Sequence, residues 1–351
     1  MEETIKKIIN YAVWAPSGDN SQPWKFSLKG NQVSIFNLPE KDNPFLNFEQ
    51  KGSYIAHGSL LENMNIIASN FGYKMDINLF PNESNRDLVA ICTFEKTITE
   101  QDPLYDYILK RCTNRKPYEN KSLSSDQFNN ILISSKEVGY GKVVLIEEKE
   151  KMTKIATALS AMDQIALEEF YLHELFFKDI VWTEIEEKNK KSGLYLKTLE
   201  LPLPIQYLFR VLKYWSVTKI LNKIGFSKFA AKGNAQIYSK ASALGVILVP
   251  NNTSKDYINA GRLMQRVWLK ITKMDLSLQP VAGLLFLAQR VFVNKASDLS
   301  NEHINLTKDS YGKIKNIFKV NNETIAMLFR VGYGGEPSAR SSRKEAIIKT
   351  Q

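Results

Sequence analysis

Arginine and threonine side chains that could bind a phosphate stand close together in the segment Arg111-Cys-Thr-Asn-Arg115. Guanidinium groups donate forked hydrogen bonds to anionic oxygens, and the hydroxyl group of Thr113 can donate one more. The spacing therefore fits a phosphate dianion. Paired arginines are also common on solvated surfaces, so the segment alone leaves a plain surface loop open as well.

A polar turn precedes the first strand pattern, in the sequence Ala15-Pro-Ser-Gly-Asp-Asn-Ser-Gln-Pro-Trp24. Pro16 and Gly18 favour a turn, while Asn20 and Gln22 supply amide donors and acceptors next to it. Because small residues let the backbone approach a ligand closely, this turn is suited to contact a flat polar molecule. The alternative is an ordinary loop that leads into a strand.

Both segments resemble motifs of the nitroreductase family. Residues 15–24 match the family pattern Ala-Pro-Ser-x-x-Asn-x-Gln-Pro-Trp at every specified position. Arg111–Arg115 is similar to the Arg-x-Ser-x-Arg phosphate motif, with Thr113 in place of serine, and Arg340-Ser-Ser-Arg343 is similar to a second basic segment. The sequence Pro-Val-Ala-Gly that ends at Gly283 resembles a Pro-x-x-Gly loop whose backbone faces the flavin ring.

The resemblance implies FMN as the cofactor, with NADH or NADPH as a possible electron donor. A flavin carries the redox chemistry itself, so no side chain is assigned a catalytic role, and Trp24, His57 and Tyr118 are expected to pack in the core. Ala282 occupies a position that is often acidic in the family. The residues that the resemblance places at the cofactor are Pro16, Ser17, Gly18, Asn20, Gln22, Arg111, Thr113, Arg115, Pro280, Ala282, Gly283, Arg340 and Arg343.

The order of the motifs implies a fused pseudo-dimer. A typical nitroreductase carries the phosphate motif before the Ala-Pro-Ser turn, and two chains share each flavin, whereas here the turn comes first. This arrangement resembles the Acg-like branch of the superfamily, as do Ala260-Gly-Arg-x-x-x-Arg266 and Val331-Gly-Tyr333. It implies an α+β fold of nitroreductase type, in which two tandem half-units form an intramolecular pseudo-dimer with one FMN per chain. Such a chain would be a monomer or part of a higher homo-oligomer.

Two functions follow from the resemblance. The first is an NAD(P)H-dependent oxidoreductase that reduces nitroaromatic or quinone-like acceptors. The second is an FMN-sequestering or storage protein of the Acg type with little turnover, because some members of that branch cover their flavin with a closed lid. A membrane- or nucleic-acid-associated protein without the cofactor is a third interpretation, against which intact Asn20, Arg111 and Arg115 argue.

Composition narrows the class of protein. The chain has 351 residues, 44% hydrophobic and 24% charged, which fits one large or two ordinary globular units. No apolar run approaches the ~18 residues of a transmembrane helix, and the charged N-terminus lacks a signal-peptide pattern. Cys92 and Cys112 give no disulfide framework, so a reducing, cytoplasmic setting is expected. The scattered histidines make a metal site unexpected.

The net charge of +10 has two possible explanations, a nucleic-acid partner or a basic surface around an anionic cofactor. The lysines are spread along the chain, without an arginine-rich arm, a zinc-finger pattern or an RNA-binding motif. We therefore expect no nucleic-acid partner, and the expected partner is a small-molecule electron acceptor.

The elements that would position these motifs fall into two predicted units, residues 1–103 and 104–351. In the first unit, periodicity and turn residues predict helix Ile5–Trp14, strands Trp24–Leu28 and Gln32–Phe36 joined at Gly30-Asn31, a helix from Ser53 to Gly72, and strands Asp76–Phe80 and Leu88–Phe94. In the second, they predict helices over Leu104–Arg111, after Ser124 and Ser125, over Met152 to Lys178 and after an Asp256 cap, with strands Lys142–Ile146, Ala243–Val249 and Ile325–Val331.

Residues 199–232 are apolar and basic and contain no acidic residue after Glu200. In one continuous helix Arg210 would point away from Lys219, so a hairpin of two helices is predicted, with Ser216 as the cap of the second. We interpret this segment as part of a lid insertion over the flavin, spanning residues 185–235. Plain structural packing and contact with a membrane surface are the alternatives.

Overall fold

Two β-sheets and a pair of long central helices organise the computed structural model, which describes residues 1–98 and 100–350. Thr99 and Gln351, which fall within the two predicted units, lie outside the described residues. The α-helices are α1 (Glu2–Ala12), α2 (Lys51–Asn70), α3 (Ser125–Leu132), α4 (Ser134–Val138), α5 (Lys149–Leu159), α6 (Ala161–Glu168), α7 (Phe170–Lys178), α8 (Glu184–Lys190), α9 (Leu203–Leu212), α10 (Trp215–Lys223), α11 (Phe226–Ser239), α12 (Ser254–Lys273), α13 (Gly283–Phe292) and α14 (Asn301–Ile317). The strands are β1 (Trp24–Lys29), β2 (Gln32–Asn37), β3 (Tyr73–Leu79), β4 (Leu88–Lys96), β5 (Lys142–Ile146), β6 (Ile180–Val181), β7 (Leu194–Tyr195), β8 (Ala243–Val249), β9 (Ser277–Pro280), β10 (Thr324–Gly332) and β11 (Ile348–Thr350).

The sheets are built mainly from antiparallel neighbours. The first sheet has the order β11-β1-β2-β4-β3, and the second has the order β5-β8-β10-β9. Only β1 with β11, and the separate pair of β6 with β7, are parallel among the strands of the described residues. Antiparallel sheets combined with packed helices confirm the α+β class.

The C-terminal strand returns to the sheet that the N-terminal strands form. In β11, Ile348 is paired with Phe26 of β1, and the Phe26 N–H donates to the Ile347 carbonyl at 2.9 Å. The preceding tail is therefore carried across the molecule to the turn between α1 and β1. This connection places the C-terminal strand beside the first strand of the chain.

Helices α2 and α12 cross with their backbones in contact. A Cβ atom built on Gly58 would lie 1.9 Å from the Ile258 carbonyl oxygen, and one on Gly261 would lie 2.1 Å from the Ile55 oxygen. The Ser59 hydroxyl group donates to the Gly261 carbonyl at 3.1 Å. Only glycine permits this approach, so these two positions fix the distance between the central helices.

A buried carboxylate joins the same two helices. Glu62 of α2 accepts from Nε of Arg262 at 3.2 Å and from Nε of Arg266 at 2.6 Å, and Arg266 also pairs with Asp102 at 2.8 Å. Deeper in the contact, Gln265 Nε2 donates to Asn63 Oδ1 at 2.7 Å. The basic residues of the sequence Ala260–Arg266 therefore hold α12 against α2.

Most predicted elements are confirmed, with shifts at their ends. Strands β5 and β8 have the predicted bounds, and β10 is longer by one residue at each end. The apolar strand β8 is central in its sheet and buried throughout, as predicted. Helix α2 begins at Lys51, before the predicted Ser53, and Gly72, with φ of 75°, follows its end.

The predicted helix over residues 104–111 was wrong. Only a 3₁₀ turn forms, at Tyr105–Tyr107. The chain must leave the helical path here, because Thr113 forms a bridge to Leu278 and the Asn114 N–H donates to the Leu278 carbonyl at 3.1 Å. This turn places residues Arg111–Arg115, which we call the arginine segment, at the edge of the second sheet.

The predicted continuous helix from Met152 to Lys178 was also wrong, because the segment forms α5, α6 and α7. Between α6 and α7, Glu169 adopts an extended conformation, with φ of −100° and ψ of 120°. Its carboxylate accepts from the Ser300 N–H at 2.9 Å and lies 2.6 Å from His303 Nδ1. These contacts with the start of α14 stabilise the break.

Two predicted helix caps were wrong. Thr253, not Asp256, is the N-cap of α12, and Asp256 is its partner in a capping box. Ser216 lies inside α10, whose N-cap is Tyr214. Residues 203–239 consequently form the three helices α9, α10 and α11 rather than a hairpin of two.

Candidate functional site

A cleft with about 640 Å³ of empty space, part of it open to solvent, lies where four segments meet. These are the turn after α1, the arginine segment after Tyr107, the segment that follows α8, and the C-terminal tail. The lining residues are Trp14, Pro16, Ser17, Asp19, Asn20, Leu109, Arg111, Cys112, Thr113, Arg115, Gly193, Leu194, Thr198, Arg340, Ser341 and Arg343.

Arg111 is the most deeply buried of the cleft arginines, with 6% of its surface exposed. Its guanidinium group stacks 4.5 Å above the Trp268 ring of α12, and Nη2 donates to the Trp14 carbonyl at 3.0 Å. Its Nε atom has no hydrogen-bond partner. Burial, and then the neighbouring Arg343, lower the pKa of Arg111 to about 9. The positive charge of Arg111 is therefore fixed by Trp268 and the Trp14 carbonyl group, without a carboxylate of the described residues to compensate it.

Arg343 repeats this pattern from the C-terminal tail. Nη1 donates to the carbonyl groups of Ser341 and Ser342 at 3.1 Å, and Nε has no partner. Burial lowers the pKa of Arg343 to about 10. In the described part of the chain, no carboxylate lies within ion-pair distance of any of the four cleft arginines. Buried guanidinium groups without paired carboxylates are suited to bind an anion.

Arg115 and Arg340 are bound to main-chain oxygens. Arg115 Nη1 donates to the Thr198 carbonyl at 3.0 Å, and burial lowers its pKa. Arg340 is exposed, and its two terminal nitrogen atoms donate to the carbonyl groups of Leu109 and Lys110 at 2.7 and 2.5 Å. Arg340 thereby fastens the C-terminal tail to the arginine segment.

The turn after α1 has a constrained backbone. Asp19, Asn20 and Gln22 have φ values of 43°, 58° and 53°, in the left-handed region that glycine normally occupies. The predicted turn forms at Gly18, but the left-handed residues are its neighbours rather than the glycine itself. Instead, a Cβ atom on Gly18 would lie 3.3 Å from an Asp42 carboxylate oxygen, so its small size leaves room for that carboxylate. Such backbone strain occurs preferentially at functional sites.

Gln22 uses both ends of its amide within the protein. Nε2 donates to the Lys191 carbonyl at 2.7 Å, and Oε1 accepts from the Lys344 N–H at 2.8 Å. Asn20 Nδ2 donates to the Ser342 carbonyl at 3.0 Å, while Asn20 Oδ1 has no partner. Gln22 therefore ties the turn to its neighbours, and Asn20 keeps one acceptor free.

A segment of residues 187–200, which we call the cover, closes one side of the cleft. Besides the carbonyl groups of Lys191 and Thr198, two of its carboxylates bind the C-terminal tail. Glu187 accepts from the N–H and hydroxyl groups of Ser342 at 2.5 and 2.9 Å, and Glu200 accepts from those of Ser338, both at 2.6 Å. The cover is thus held by the turn, by the arginine segment and by the tail.

Gly193 lets the cover pack tightly. Its φ is 88°, and a Cβ atom there would lie 2.7 Å from the Asp179 carbonyl oxygen and 2.9 Å from a methyl group of Val181. Strand β7 can therefore lie beside β6 directly after this residue. The cleft wall formed by Gly193 and Leu194 depends on this contact.

Asp19 is an acidic residue among the basic residues of the cleft. Although Asp19 is exposed, desolvation of its carboxylate by the surrounding cleft, followed by the charges of Asp179 and Asp42, raises its pKa, against an opposing effect of Arg115. Sequence reasoning did not select this residue, although it lies inside the polar turn. Its protonated form is compatible with an anion nearby, whereas its ionised form would repel one.

The structure brings together most of the predicted site residues. The cleft contains Pro16, Ser17, Asn20, Arg111, Thr113, Arg115, Arg340 and Arg343. Gly18 and Gln22 belong to the same turn but do not line the cleft. Pro280, Ala282 and Gly283 lie at the end of β9 and the start of α13, outside the cleft lining.

The cover supplies the functional residues that sequence reasoning missed. Gly193, Leu194 and Thr198 line the cleft, and the predicted insertion of residues 185–235 includes them without assigning them a contact. Thr198 contacts Arg115 through its main-chain carbonyl group, so the type of its side chain carried no signal. Cys112 also lines the cleft and is a free thiol, as is Cys92.

Trp24, His57 and Tyr118 are buried. Burial lowers the pKa of His57 to about 3, so it is neutral at physiological pH.

Among the described residues, no group of three or more His, Cys, Asp or Glu side chains is arranged to hold a metal ion. No helix formed by those residues is both long and apolar enough to cross a membrane.

Comparison with known proteins places the chain among distant relatives. No family model matches it. It is 22% identical over 348 residues to an uncharacterised protein of Mycobacterium tuberculosis, an alignment that covers 98% of this chain and 47% of that protein. It is 24% identical over 177 residues to a putative NAD(P)H nitroreductase of the same organism, covering 49% of this chain and 50% of the relative. By sequence, half of the chain is therefore distantly similar to a putative NAD(P)H nitroreductase. The chain spans about half the length of the curated relatives it matches.

Two solved structures match part of this chain. The FMN-dependent nitroreductase NfnB from Mycobacterium smegmatis, in complex with NADPH, has a TM-score of 0.37 and 13% identity, covering 68% of this chain and 96% of that chain. A nitroreductase with bound FMN from Bacteroides fragilis has a TM-score of 0.35 and 10% identity, covering 70% and 95%.

Proposed function

We propose that this chain binds FMN, with the phosphate in the arginine cleft, and is an NAD(P)H-dependent oxidoreductase for nitroaromatic or quinone-like acceptors. The observation that carries the proposal is the pair of guanidinium groups of Arg111 and Arg343, whose buried Nε atoms lack partners. The match of residues 15–24 to the flavin-contacting pattern and the distant relationship to a putative NAD(P)H nitroreductase support the choice of FMN.

The residues present fit such a group. Arg111, Arg343 and the Thr113 hydroxyl group would hold the phosphate, and Asn20, whose Oδ1 is unpartnered, would accept from an N–H group of the ring. When bound, FMN would supply the redox chemistry by passing reducing equivalents from NAD(P)H to the acceptor. The chain itself would bind and orient the flavin, and the cover would exclude water from it.

The pseudo-dimer is part of this proposal. Each long central helix packs on its own sheet, α2 on the first and α12 on the second, and the two helices meet at Gly58 and Gly261. The turn comes from the proposed first half-unit, residues 1–103, and the arginine segment from the second, residues 104–351. A single cleft built by both halves favours one FMN per chain.

The visible spectrum of the purified protein tests the enzymatic proposal. We expect an oxidised flavin band that disappears within minutes of adding NADPH or NADH without oxygen. Comparing the two nucleotides will identify the donor. A flavin band that persists with both nucleotides would contradict turnover and favour the second function below, whereas absence of flavin after incubation with FMN would contradict both.

A second function, FMN sequestration, is favoured by the contacts of the cover. The Thr198 carbonyl accepts from Arg115, the Lys191 carbonyl accepts from Gln22, and Glu187 binds the C-terminal tail. A cover fastened at several points would slow flavin release and limit access of acceptors. Under this alternative, the chain stores FMN with little turnover.

Loosening the cover is expected to increase access to the flavin. In the variant Glu187→Gln, the carboxylate that accepts from the N–H and hydroxyl groups of Ser342 is lost. Charge-assisted hydrogen bonds contribute about 1.5–3 kcal/mol, so we expect FMN release to become roughly tenfold faster or more. Recovery of flavin fluorescence after rapid dilution of the loaded protein measures the rate.

The matched control for this variant is Glu184→Gln on the same helix. Among the described residues, Glu184 pairs with Lys188 and Lys197 of the cover, but these side chains are all exposed and such surface pairs contribute little, so its loss should change release far less than the loss of Glu187. Equal release rates for wild type, Glu187→Gln and Glu184→Gln would show that the cover does not gate the cleft.

A further inference from the structure

Helices α9, α10 and α11 present an outer face of large apolar and basic side chains. Ile224 and Phe229 are 82% and 76% exposed, and Tyr207 is 70% exposed. Other exposed apolar residues of this face are Leu203, Val211, Tyr214 and Ile220. Exposed apolar side chains concentrated in one segment mark an interaction surface rather than ordinary solvent contact.

The exposed residues follow helical spacing. In α9, Leu203, Tyr207 and Val211 recur at intervals of four residues, while Leu212 is buried. In α10, exposed Ile220 lies between Lys219 and Lys223 along the chain, and the three share one side of the helix. Each outer face therefore combines apolar and basic groups.

In α11 the same pattern continues with Lys228, Phe229 and Lys232, all of them exposed. No acidic residue occurs between Glu200 and Asp256, so nothing within this stretch of sequence neutralises its charge. The basic residues of the three helices and their connections are Arg210, Lys213, Lys219, Lys223, Lys228 and Lys232. The face is complementary to an anionic surface.

The inner sides of these helices are already occupied, and the cleft does not use the outer ones. Helix α11 packs on α5 and α6, and α10 packs on α6, α7 and α11. The hydrogen bonds that cover the cleft come from residues 187–200, before α9 begins. The proposed lid function thus leaves the outer face of α9–α11 unexplained.

We propose that the outer face of α9–α11 docks on the surface of an anionic lipid bilayer. Apolar side chains such as Ile224 and Phe229 would enter the boundary between headgroups and acyl chains, while the lysines pair with lipid phosphates. Tyr207 and Tyr214 have the amphipathic rings that favour this interface. This docking is peripheral, and it does not depend on whether FMN is bound.

Co-sedimentation of the full chain with phospholipid vesicles tests the proposal. The probes are vesicles of phosphatidylcholine alone and vesicles with one third phosphatidylglycerol, at low and at physiological salt. We expect binding to the anionic vesicles only, weakened by salt because the attraction is partly electrostatic. Equal binding to both vesicle types, or binding to neither, would overturn the proposal.

The charge variant is Lys219→Gln combined with Lys223→Gln and Lys228→Gln. Each basic residue near an anionic bilayer contributes roughly a fivefold factor, so we expect the partition coefficient to fall at least about tenfold. The variant Ile224→Ser with Phe229→Ser should reduce binding comparably, and its residual binding should be more sensitive to salt. All five side chains are exposed, so folding should be preserved.

The matched control removes the same charge from another exposed surface, through Lys308→Gln, Lys313→Gln and Lys319→Gln in and after α14. We expect it to bind anionic vesicles nearly as well as wild type. An equal loss in both charge variants would overturn the proposal, because net charge alone would then explain binding. Sedimentation velocity without lipid provides a further check: a dimer that the Ile224→Ser, Phe229→Ser variant dissociates would assign the face to self-association instead.

Discussion

Replacing Arg111 by alanine is expected to lower the affinity for FMN by roughly 10- to 150-fold, which corresponds to the loss of about 1.5–3 kcal/mol from a charged hydrogen bond. The side chain is buried, stacks on Trp268 and has an unpartnered Nε atom. Burial lowers its pKa to about 9, so an anion in the cleft would stabilise its charge. Titration of the flavin-free protein with FMN, followed by fluorescence quenching, measures the change.

Riboflavin provides the internal control for this variant, because it has the same ring but no phosphate. Arg111→Ala should leave riboflavin affinity nearly unchanged, and Arg86→Ala, at an exposed site away from the cleft lining, should change neither affinity. If Arg111→Ala weakens FMN and riboflavin equally, the arginine supports the fold rather than the phosphate. The free energy of unfolding of the flavin-free variant, measured in parallel, distinguishes a general loss of stability from a specific loss of phosphate binding.

The substitution Gly261→Ala should lower the free energy of unfolding by about 3 kcal/mol or more, at the upper end of what overpacking causes. The new methyl group would lie 2.1 Å from the Ile55 carbonyl oxygen, and its next neighbours, the carbonyl carbon and Cα of Ile55, are also backbone atoms. No side-chain rotation can relieve this overlap. Helices α2 and α12 would have to separate, which would disturb the pairing of Glu62 with Arg262 and Arg266.

The control is Gly312→Ala in α14, where nothing lies within 4 Å of the added methyl group. Alanine is the better helix former by about 0.8–1 kcal/mol, so this variant should be unchanged or slightly more stable. Urea unfolding followed by circular dichroism compares the two. Equal stability of Gly261→Ala and wild type would show that the central helices do not pack as closely as described.

The fold could be predicted where the signal is local. The seven residues of β8 are all apolar apart from one glycine, and this pattern identifies a buried central strand. The break between α6 and α7 gave no local signal, because the partner of Glu169 is His303, 134 positions further along the chain. Contacts of this range do not appear in periodicity or capping patterns.

The arginine part of the candidate site could be predicted, because the guanidinium groups of Arg111 and Arg115 at a fixed spacing are visible in the sequence. Arg111, Arg115 and Arg343 do line one cleft, although the last is far from the first two along the chain. The cover could not be predicted residue by residue, because it acts through the main-chain carbonyl groups of Lys191 and Thr198. Any residue type carries such a group.

The assignments of Gln22, Pro280, Ala282 and Gly283 as flavin contacts stay predictions. Gln22 satisfies its amide within the protein, and the loop from Pro280 to Gly283 lies outside the cleft lining. Residues that hold a site in shape can carry the same motif as residues that touch a ligand. Their side-chain types alone do not separate the two roles.

The most direct test of the account is the FMN content of the chain after reconstitution with excess FMN and removal of unbound flavin. Denaturation of the protein, followed by separation and quantification of the released flavin, gives both its identity and its ratio to protein. The account predicts one FMN per chain, and at least tenfold less retention in Arg111→Ala. No retained flavin or two flavins per chain would contradict the account. So would equal retention of FMN and of riboflavin, when riboflavin is used in a parallel reconstitution.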